Sequence, residues 1–266
     1  DTSFLRLIKR FLKAGIMEEG EWRESERGTP QGGVISPILA NLYLHHVLDL
    51  WFEHTVKKAC RGEAYLVRYA DDFVCCFQSE NEAVSFYAAL RERLAKFNLE
   101  VAEDKTKIIK FGRFANEGEK KAETFNFLGF THYCSTSLKG KFRVKRRTMS
   151  KRVRLSLKRC KEWVKKHRHL HMVELRNRLN QKLKGYYQYY GITDNSRALQ
   201  NYHAKVVRIM FKWLNRRSQK QSFDWPRFSL FLQRWPLARP CIRVNVYEFN
   251  DSLLAIYNGV VKSRVR

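Results

Sequence analysis

Between residues 141 and 221 the chain carries 25 Lys and Arg against 3 Asp and Glu. The block is no low-complexity tail, because apolar and aromatic residues are threaded through it at helical spacing. Three stretches show this: "TMSKRVRLSLKRCKEWVKKHR", "MVELRNRLNQKLKGYYQYYG" and "SRALQNYHAKVVRIMFKWLNRRSQ". Each must bury one stripe and leave a dense positive surface in water. Gly191 and the "TDN" after it part the second helix from the third, and "WPRFSLFLQRW" predicts a shorter fourth. A surface of that sign calls for a polyanion, most simply nucleic acid. A solvated helical face and an anionic membrane surface are the competing uses. The interleaved apolar residues favour a folded nucleic-acid-binding domain over both.

The first 140 residues are built differently, with 20 basic and 20 acidic side chains. Phe4, Leu7, Ile8, Phe11 and Leu12 predict a helix over 3–14. Ser36 followed by Pro37 predicts a helix start, running to about Lys57 with Ile38, Leu42, Leu48 and Trp51 buried. Gly32 and Gly33 before it allow the backbone to approach a ligand closely. Residues 64–70 and 73–78 read as two strands of a hairpin separated by Asp71-Asp72. Ser79 and Glu82 have capping-box spacing, opening a helix that places Ala83, Phe86, Leu90, Leu94 and Phe97 on one face. "KIIKFG" and "FNFLGFTHYC" read as strands. The fold class is therefore α+β: an antiparallel sheet with helices over 1–140, followed by an all-α, strongly basic domain over 141–266. Charge and element type change together at that boundary. With 44% hydrophobic residues the chain can bury a core, and it has no apolar run of membrane-spanning length. None of its six cysteines forms a C-x-x-C pair, which predicts reduced, mostly buried thiols.

Asp71 and Asp72 stand side by side inside "EAYLVRYADDFVCCF". Two carboxylates at about 4 Å repel by about 4 kcal/mol at an effective dielectric near 20. An acidic surface turn is the plain explanation. The alternative is a site for hard cations such as Mg²⁺, which takes one or two carboxylates together with waters and substrate phosphates. Two such ions can serve the attacking and leaving oxygens of a phosphoryl transfer.

On these residues a resemblance becomes specific. "YADD" on a hairpin resembles motif C of reverse transcriptases. "GTPQGGVISPILANLYL" resembles motif B, through Gln31, Gly32, Ser36, Pro37 and Asn41. "LEVAEDKTKII" is similar to motif D, with Lys105 and Thr106, and "FLGF" at 127–130 to the primer-grip motif E. "LKGYYQYYG" and "VVRIMFKWLNRRSQ" resemble the maturase (thumb) domain of group II intron-encoded reverse transcriptase/maturases. The motifs occur in the family's order and cover nearly the whole chain.

The resemblance implies a reverse-transcriptase palm over 1–140 and a helical thumb/maturase domain over 141–266. It implies RNA-directed DNA polymerisation by two-metal nucleotidyl transfer, with intron RNA bound for splicing and mobility. Asp71 would be the principal catalytic metal ligand and Asp72 its neighbour, with Mg²⁺ as cofactor. Gln31, Gly32, Tyr69, Ala70 and Lys105 would line the nucleotide and template pocket, and Phe127, Leu128, Gly129 and Phe130 would grip the primer. Arg146, Arg147, Lys151, Arg152, Lys158, Arg159, Lys182, Lys184, Arg216 and Arg217 would hold RNA through its backbone. Tyr186, Tyr187, Tyr189 and Tyr190 have two uses, stacking on RNA or packing in the core. The implied partners are group II intron RNA, an RNA template with a DNA primer, and dNTPs, in a bacterial cytoplasm and at the nucleoid, with no membrane.

The family's third metal-binding aspartate lies in motif A, ahead of the matching region. The chain opens without Met and mid-helix, so an N-terminally truncated piece, inactive by itself, is expected. Two alternatives to the polymerase remain at this level: a non-catalytic RNA-binding splicing cofactor, in which the acidic pair is dispensable, and an inactive remnant.

Overall fold

The computed structural model describes residues 1–13, 15–18, 21–23, 35–115, 122–137, 139–218 and 222–247. Gln31 and Gly32 lie outside them. The chain divides into two compact units, 1–110 and 111–266.

The first unit opens with α1 (Thr2–Leu12), where the Asp1 carboxylate accepts from the Ser3 amide at 2.9 Å. The apolar stripe of α1 is present, but Phe4, Leu5, Leu7, Phe11 and Leu12 are exposed. A short antiparallel ladder follows, β1 (Ile16–Glu18) with β2 (Glu21–Arg23). Next comes α2 (Ser36–Leu44), continued by π-helical turns at His45–Asp49 and Phe52–Val56 and by α3 (Lys57–Ala59). The expected long helix is therefore there, with two corrections. Ile35, not Ser36, occupies the cap position, and Ser36 is the first helical residue. Leu48 is buried as expected and Trp51 half-buried, but Ile38 and Leu42 are exposed, and the other buried positions are Val47, Phe52 and Val56. Each π turn takes up an extra residue, which rotates the following stripe by about 100°. An unbroken 3.6-residue period over 36–57 cannot foresee that.

The strands β3 (Ala64–Tyr69) and β4 (Asp72–Phe77) form the expected hairpin, antiparallel from Ala64↔Phe77 to Tyr69↔Asp72. After it, α4 (Glu80–Ala95) lays Phe86, Leu90 and Leu94 against Val47, Leu48, Phe52, Val56 and Ala64, the core of this unit. Ser79 is the cap residue of α4, as expected, but the capping box is not made. The Glu82 carboxylate turns away and accepts from the amides of Arg61 at 2.7 Å and Gly62 at 3.5 Å. It thereby ties the helix to the loop that enters β3. Residues 107–112 are not a strand, contrary to expectation.

The second unit begins with a three-stranded antiparallel sheet: β5 (Phe125–Phe127), β6 (Phe130–Thr136) and β7 (Phe142–Thr148). Its helices are α5 (Ser150–His167), α6 (Met172–Tyr190), α7 (Ser196–Leu214) and α8 (Trp225–Arg234), close to the expected ranges. Their stripes meet in one core of Val164, Leu175, Leu179, Leu183, Tyr187, Leu199, Val206, Met210, Leu214 and Phe228. Segment 141–148 reads as part of the helical block from its charge but is a strand, because Phe142, Val144 and Arg146 alternate with Arg143, Lys145 and Arg147. The compact units accordingly divide thirty residues ahead of the charge boundary at 140, since this sheet packs with the helices.

The joint between sheet and helices is Asn195, which is wholly buried. Its carbonyl accepts from the Thr148 amide at 2.8 Å, and its amide donates to the Thr148 hydroxyl and the Tyr190 carbonyl, each at 2.8 Å. A segment after α8 straps the helices. The Pro236 carbonyl accepts from Arg176 at 3.0 Å, and Val244 bridges to Ile192. The overall class is α+β, with small antiparallel sheets and long helices. Among the described residues no helix is long and apolar enough to cross a membrane.

Candidate functional site

The acidic turn differs from expectation by one residue. Tyr69 pairs with Asp72, so the two-residue loop is Ala70-Asp71, and Asp72 opens β4. The turn needs a positive φ at its first position, as in a type II′ hairpin, where glycine is usual. Ala70 supplies it at φ 53°. That conformation costs an L-residue roughly 1–2 kcal/mol, so something must hold it.

Arg68 holds it. On β3 the residues alternate, and Ala64, Leu66 and Arg68 share the face turned towards the helix core. The Arg68 guanidinium donates in a fork to both oxygens of Asp49, each at 2.6 Å. The same group donates to the Ala70 carbonyl at 2.8 Å and to the Asn41 side-chain carbonyl at 2.9 Å. One side chain thus ties the strained turn to two points on the helix that carries Asn41. Sequence reasoning missed Arg68 and Asp49. The available signal was a lone cation on the inward register of an otherwise apolar strand. Burial alone would raise the Asp49 carboxyl, but the bonds from Arg68 and His45 outweigh it, and its pKa is lowered. A depressed carboxylate stabilises the fold above its ordinary pKa and loses that contribution as pH falls through the lowered value. The stability of wild type and of Asp49→Asn should therefore differ at pH 7, begin to approach each other only as pH falls below about 4, and converge below the lowered value. Melting temperature against pH, in both proteins, measures this.

Asp71 and Asp72 are exposed. Neither carboxylate has a hydrogen-bond or ion-pair partner among the described residues. Two carboxylates with free oxygens, on a turn braced from behind, fit a hard divalent cation that completes its shell with water and phosphate oxygens. No cluster of three or more His, Cys, Asp or Glu accompanies them among the described residues. The cysteines are all free, and Cys160 alone among them is fully buried, so most are less covered than expected. Tyr69 is 66% exposed, on the same face of the hairpin as Asp72. Lys105 sits elsewhere in this unit, on an exposed turn where its amide donates to the Ala102 carbonyl at 3.0 Å. No bond joins it to the hairpin.

In the second unit, Phe127-Leu128-Gly129-Phe130 closes β5 onto β6 by a two-residue turn. Leu128 and Gly129 both have positive φ, 48° and 78°, the pattern of a type I′ turn. The end of α6 fixes it. Tyr189 donates to the Leu128 carbonyl at 3.0 Å, and the Gly129 carbonyl accepts from the Met149 amide at 2.9 Å. A Cβ on Gly129 would stand 3.2 Å from the Tyr190 hydroxyl oxygen. Gly129→Ala should therefore cost about 1–2 kcal/mol from backbone strain alone, measurable by chemical denaturation.

The four α6 tyrosines separate by use. Tyr187 is 2% exposed, Tyr186 stacks on Tyr202 at 3.8 Å, and Tyr190 packs on Phe130. Only Tyr189 is exposed.

Of the ten cations expected to hold RNA, Arg147, Lys151, Arg152, Lys158, Arg159, Lys182, Lys184 and Arg216 are exposed. None of these eight has an ion-pair partner among the described residues. Lys182 lies over the Trp163 ring and Arg216 over Trp213, which orders both. Arg146 and Arg217 are half-buried. Arg217 donates to the Leu170 carbonyl at 2.8 Å, and burial lowers its pKa, so it is committed to the fold.

A family model described as reverse transcriptase (RNA-dependent DNA polymerase) matches residues 1–132. A second, described as group II intron, maturase-specific domain, matches residues 153–231. The chain is similar to the group II intron-encoded protein LtrA of Lactococcus lactis subsp. cremoris, at 25% identity over 291 residues, 78% of this chain and 46% of that protein. It is also similar to the protein YkfC of Escherichia coli (strain K12), at 30% identity over 174 residues, 54% of this chain and 42% of that protein. The chain thus spans about half the length of these relatives.

Proposed function

The chain belongs to the group II intron-encoded reverse transcriptase/maturase family, and from that premise we propose that it supplies the catalytic hairpin of an RNA-directed DNA polymerase and the RNA-holding helices of a maturase. The observation that carries the reading is the partnerless Asp71–Asp72 pair on a strained turn that Arg68 clamps to the Asn41 helix. Strain held in place by a dedicated clamp is the mark of a preorganised site.

In this reading Asp71 is the principal ligand of Mg²⁺ and Asp72 assists it. A divalent ion bound there supplies charge stabilisation for the phosphoryl group being transferred. Arg68 keeps both carboxylates aimed outwards without itself touching substrate. Gln31, Gly32, Tyr69 and Ala70 contact the incoming dNTP and the templating base. Lys105 carries a cation to the departing pyrophosphate. The Phe127–Phe130 turn, stiffened by Tyr189, holds the primer end. Thumb-like, the eight exposed cations of the second unit, seven of them on or beside its helices and Arg147 on β7, follow the backbone of the template–primer duplex and of intron RNA.

A second reading, the splicing cofactor without polymerase activity, is favoured by the excess positive charge of residues 141–221. Both readings predict steeply salt-dependent RNA binding. Eight phosphate contacts give a slope of log K against log salt of about −6 to −7. Fluorescence anisotropy with an intron RNA fragment measures the slope, and a slope shallower than about −2 would contradict both. Primer extension on an RNA template separates them.

A further inference from the structure

The β6–β7 ladder has two dissimilar faces. Phe130, His132, Thr148 and Arg146 share the face turned to the helices, where Phe130 stacks on Tyr189 and Thr148 bonds to Asn195. The opposite face pairs Thr131 with Arg147, Tyr133 with Lys145 and Ser135 with Arg143. Three cations therefore stand in a row on alternate residues of one strand, about 6.7 Å apart along it. A tyrosine and two hydroxyls lie across from them on β6. No carboxylate pairs with Arg143, Lys145 or Arg147 among the described residues. The Arg147 guanidinium lies over the Tyr133 ring at 5.5 Å, and that of Arg143 over the Tyr247 ring at 3.8 Å.

Charge on an edge strand can merely discourage sheet-to-sheet pairing, but one cation suffices for that. Three in a row on one face repel each other, and among the described residues no carboxylate relieves the repulsion. The aromatic contacts hold the two outer guanidinium groups in place rather than neutralising them. We propose that this sheet face is a platform for a single RNA strand, with Arg143, Lys145 and Arg147 each meeting a successive phosphate and Tyr133 offering a ring to a base. The repeat of the cations is on the scale of the phosphate spacing of an extended strand, and a flat sheet with an aromatic suits unstacked bases better than a duplex groove does. The inference rests on the proposed RNA-binding function and assigns one of its contact surfaces to the sheet instead of the helices.

The test uses the full chain and two fluorescein-labelled probes, a twelve-nucleotide oligouridylate and a blunt RNA duplex, titrated over a range of salt. The triple variant Arg143→Gln, Lys145→Gln, Arg147→Gln should weaken oligouridylate binding at least about tenfold. It should also flatten the salt slope by about 2, three contacts at ~0.7 each. Arg147→Gln alone, at the exposed end, should flatten it by about 0.7. Tyr133→Leu should weaken binding roughly fivefold or more. An equal loss of charge on α7, Lys205→Gln, Arg208→Gln, Lys212→Gln, should have less than half the effect of the sheet triple. Equal losses from the two triples overturn the platform while leaving RNA binding intact. A sheet triple that weakens duplex binding more than oligouridylate binding overturns the single-strand assignment. A wild-type chain that binds neither probe overturns the functional reading itself, and the platform with it.

Discussion

Asn195→Ala should lower the stability of the second compact unit by about 3 kcal/mol, a fall in melting temperature of roughly 6–12 °C. The size follows from what the amide does. It is wholly buried and serves three partners at once: the Thr148 amide, the Thr148 hydroxyl and the Tyr190 carbonyl. Removing it leaves buried polar groups without partners, each costing about 1–3 kcal/mol. Asn195→Asp is no rescue, because it keeps the acceptor for the Thr148 amide, loses both donors and buries a charge. Asn201→Ala, on the exposed side of the same helix, should change stability by less than about 0.5 kcal/mol. Thermal melts of the three variants check this, and equal melting temperatures for Asn195→Ala and Asn201→Ala would refute it. The consequence reaches the Phe127–Phe130 turn, since Asn195 fixes Tyr190 and Thr148, which flank that turn on either side.

The long helices were legible because their evidence is local and repeated. Leu175, Leu179, Leu183 and Tyr187 recur every four residues, and burial follows that spacing. The hairpin was legible too, but its loop was placed one residue late. Composition marks Asp71-Asp72 as the turn, whereas cross-strand pairing puts Asp72 opposite Tyr69 and forces Ala70 into the left-handed region. Ile38 and Leu42 failed as core positions because the helix changes its period at two π turns. Strand β7 was hidden by its charge: alternating Arg and Lys look like a basic helix start unless the period of two is given more weight than composition. Arg68 and Asn195 were invisible for a different reason. Each is a polar residue whose meaning depends on partners 19 to 47 positions away in sequence, Asp49 and Thr148. Spacing along the chain carries no trace of such contacts. The Asp71–Asp72 pair, by contrast, stood out because two acids together in a strand-like stretch are electrostatically costly.

That cost underlies the second large effect. Asp71→Asn should reduce RNA-templated dNTP incorporation by about a thousandfold or more, corresponding to several kcal/mol of charge stabilisation at the transferring phosphoryl group. The turn itself should survive, because Arg68 contacts the Ala70 carbonyl and not the Asp71 side chain. Stability and RNA affinity of the variant should match wild type within about twofold. Asp72→Asn should lose less, in keeping with an assisting role. Arg68→Met should lose activity through the same turn while leaving both carboxylates in the sequence. Its effect should be accompanied by a loss of stability that Asp71→Asn does not show.

The most direct measurement is therefore primer extension on an RNA template with a DNA primer, dNTPs and Mg²⁺, using protein expressed from the complete gene, wild type beside Asp71→Asn. The account predicts extension by wild type and its near-complete loss in the variant, with RNA binding unchanged. Extension that continues undiminished in Asp71→Asn would contradict it.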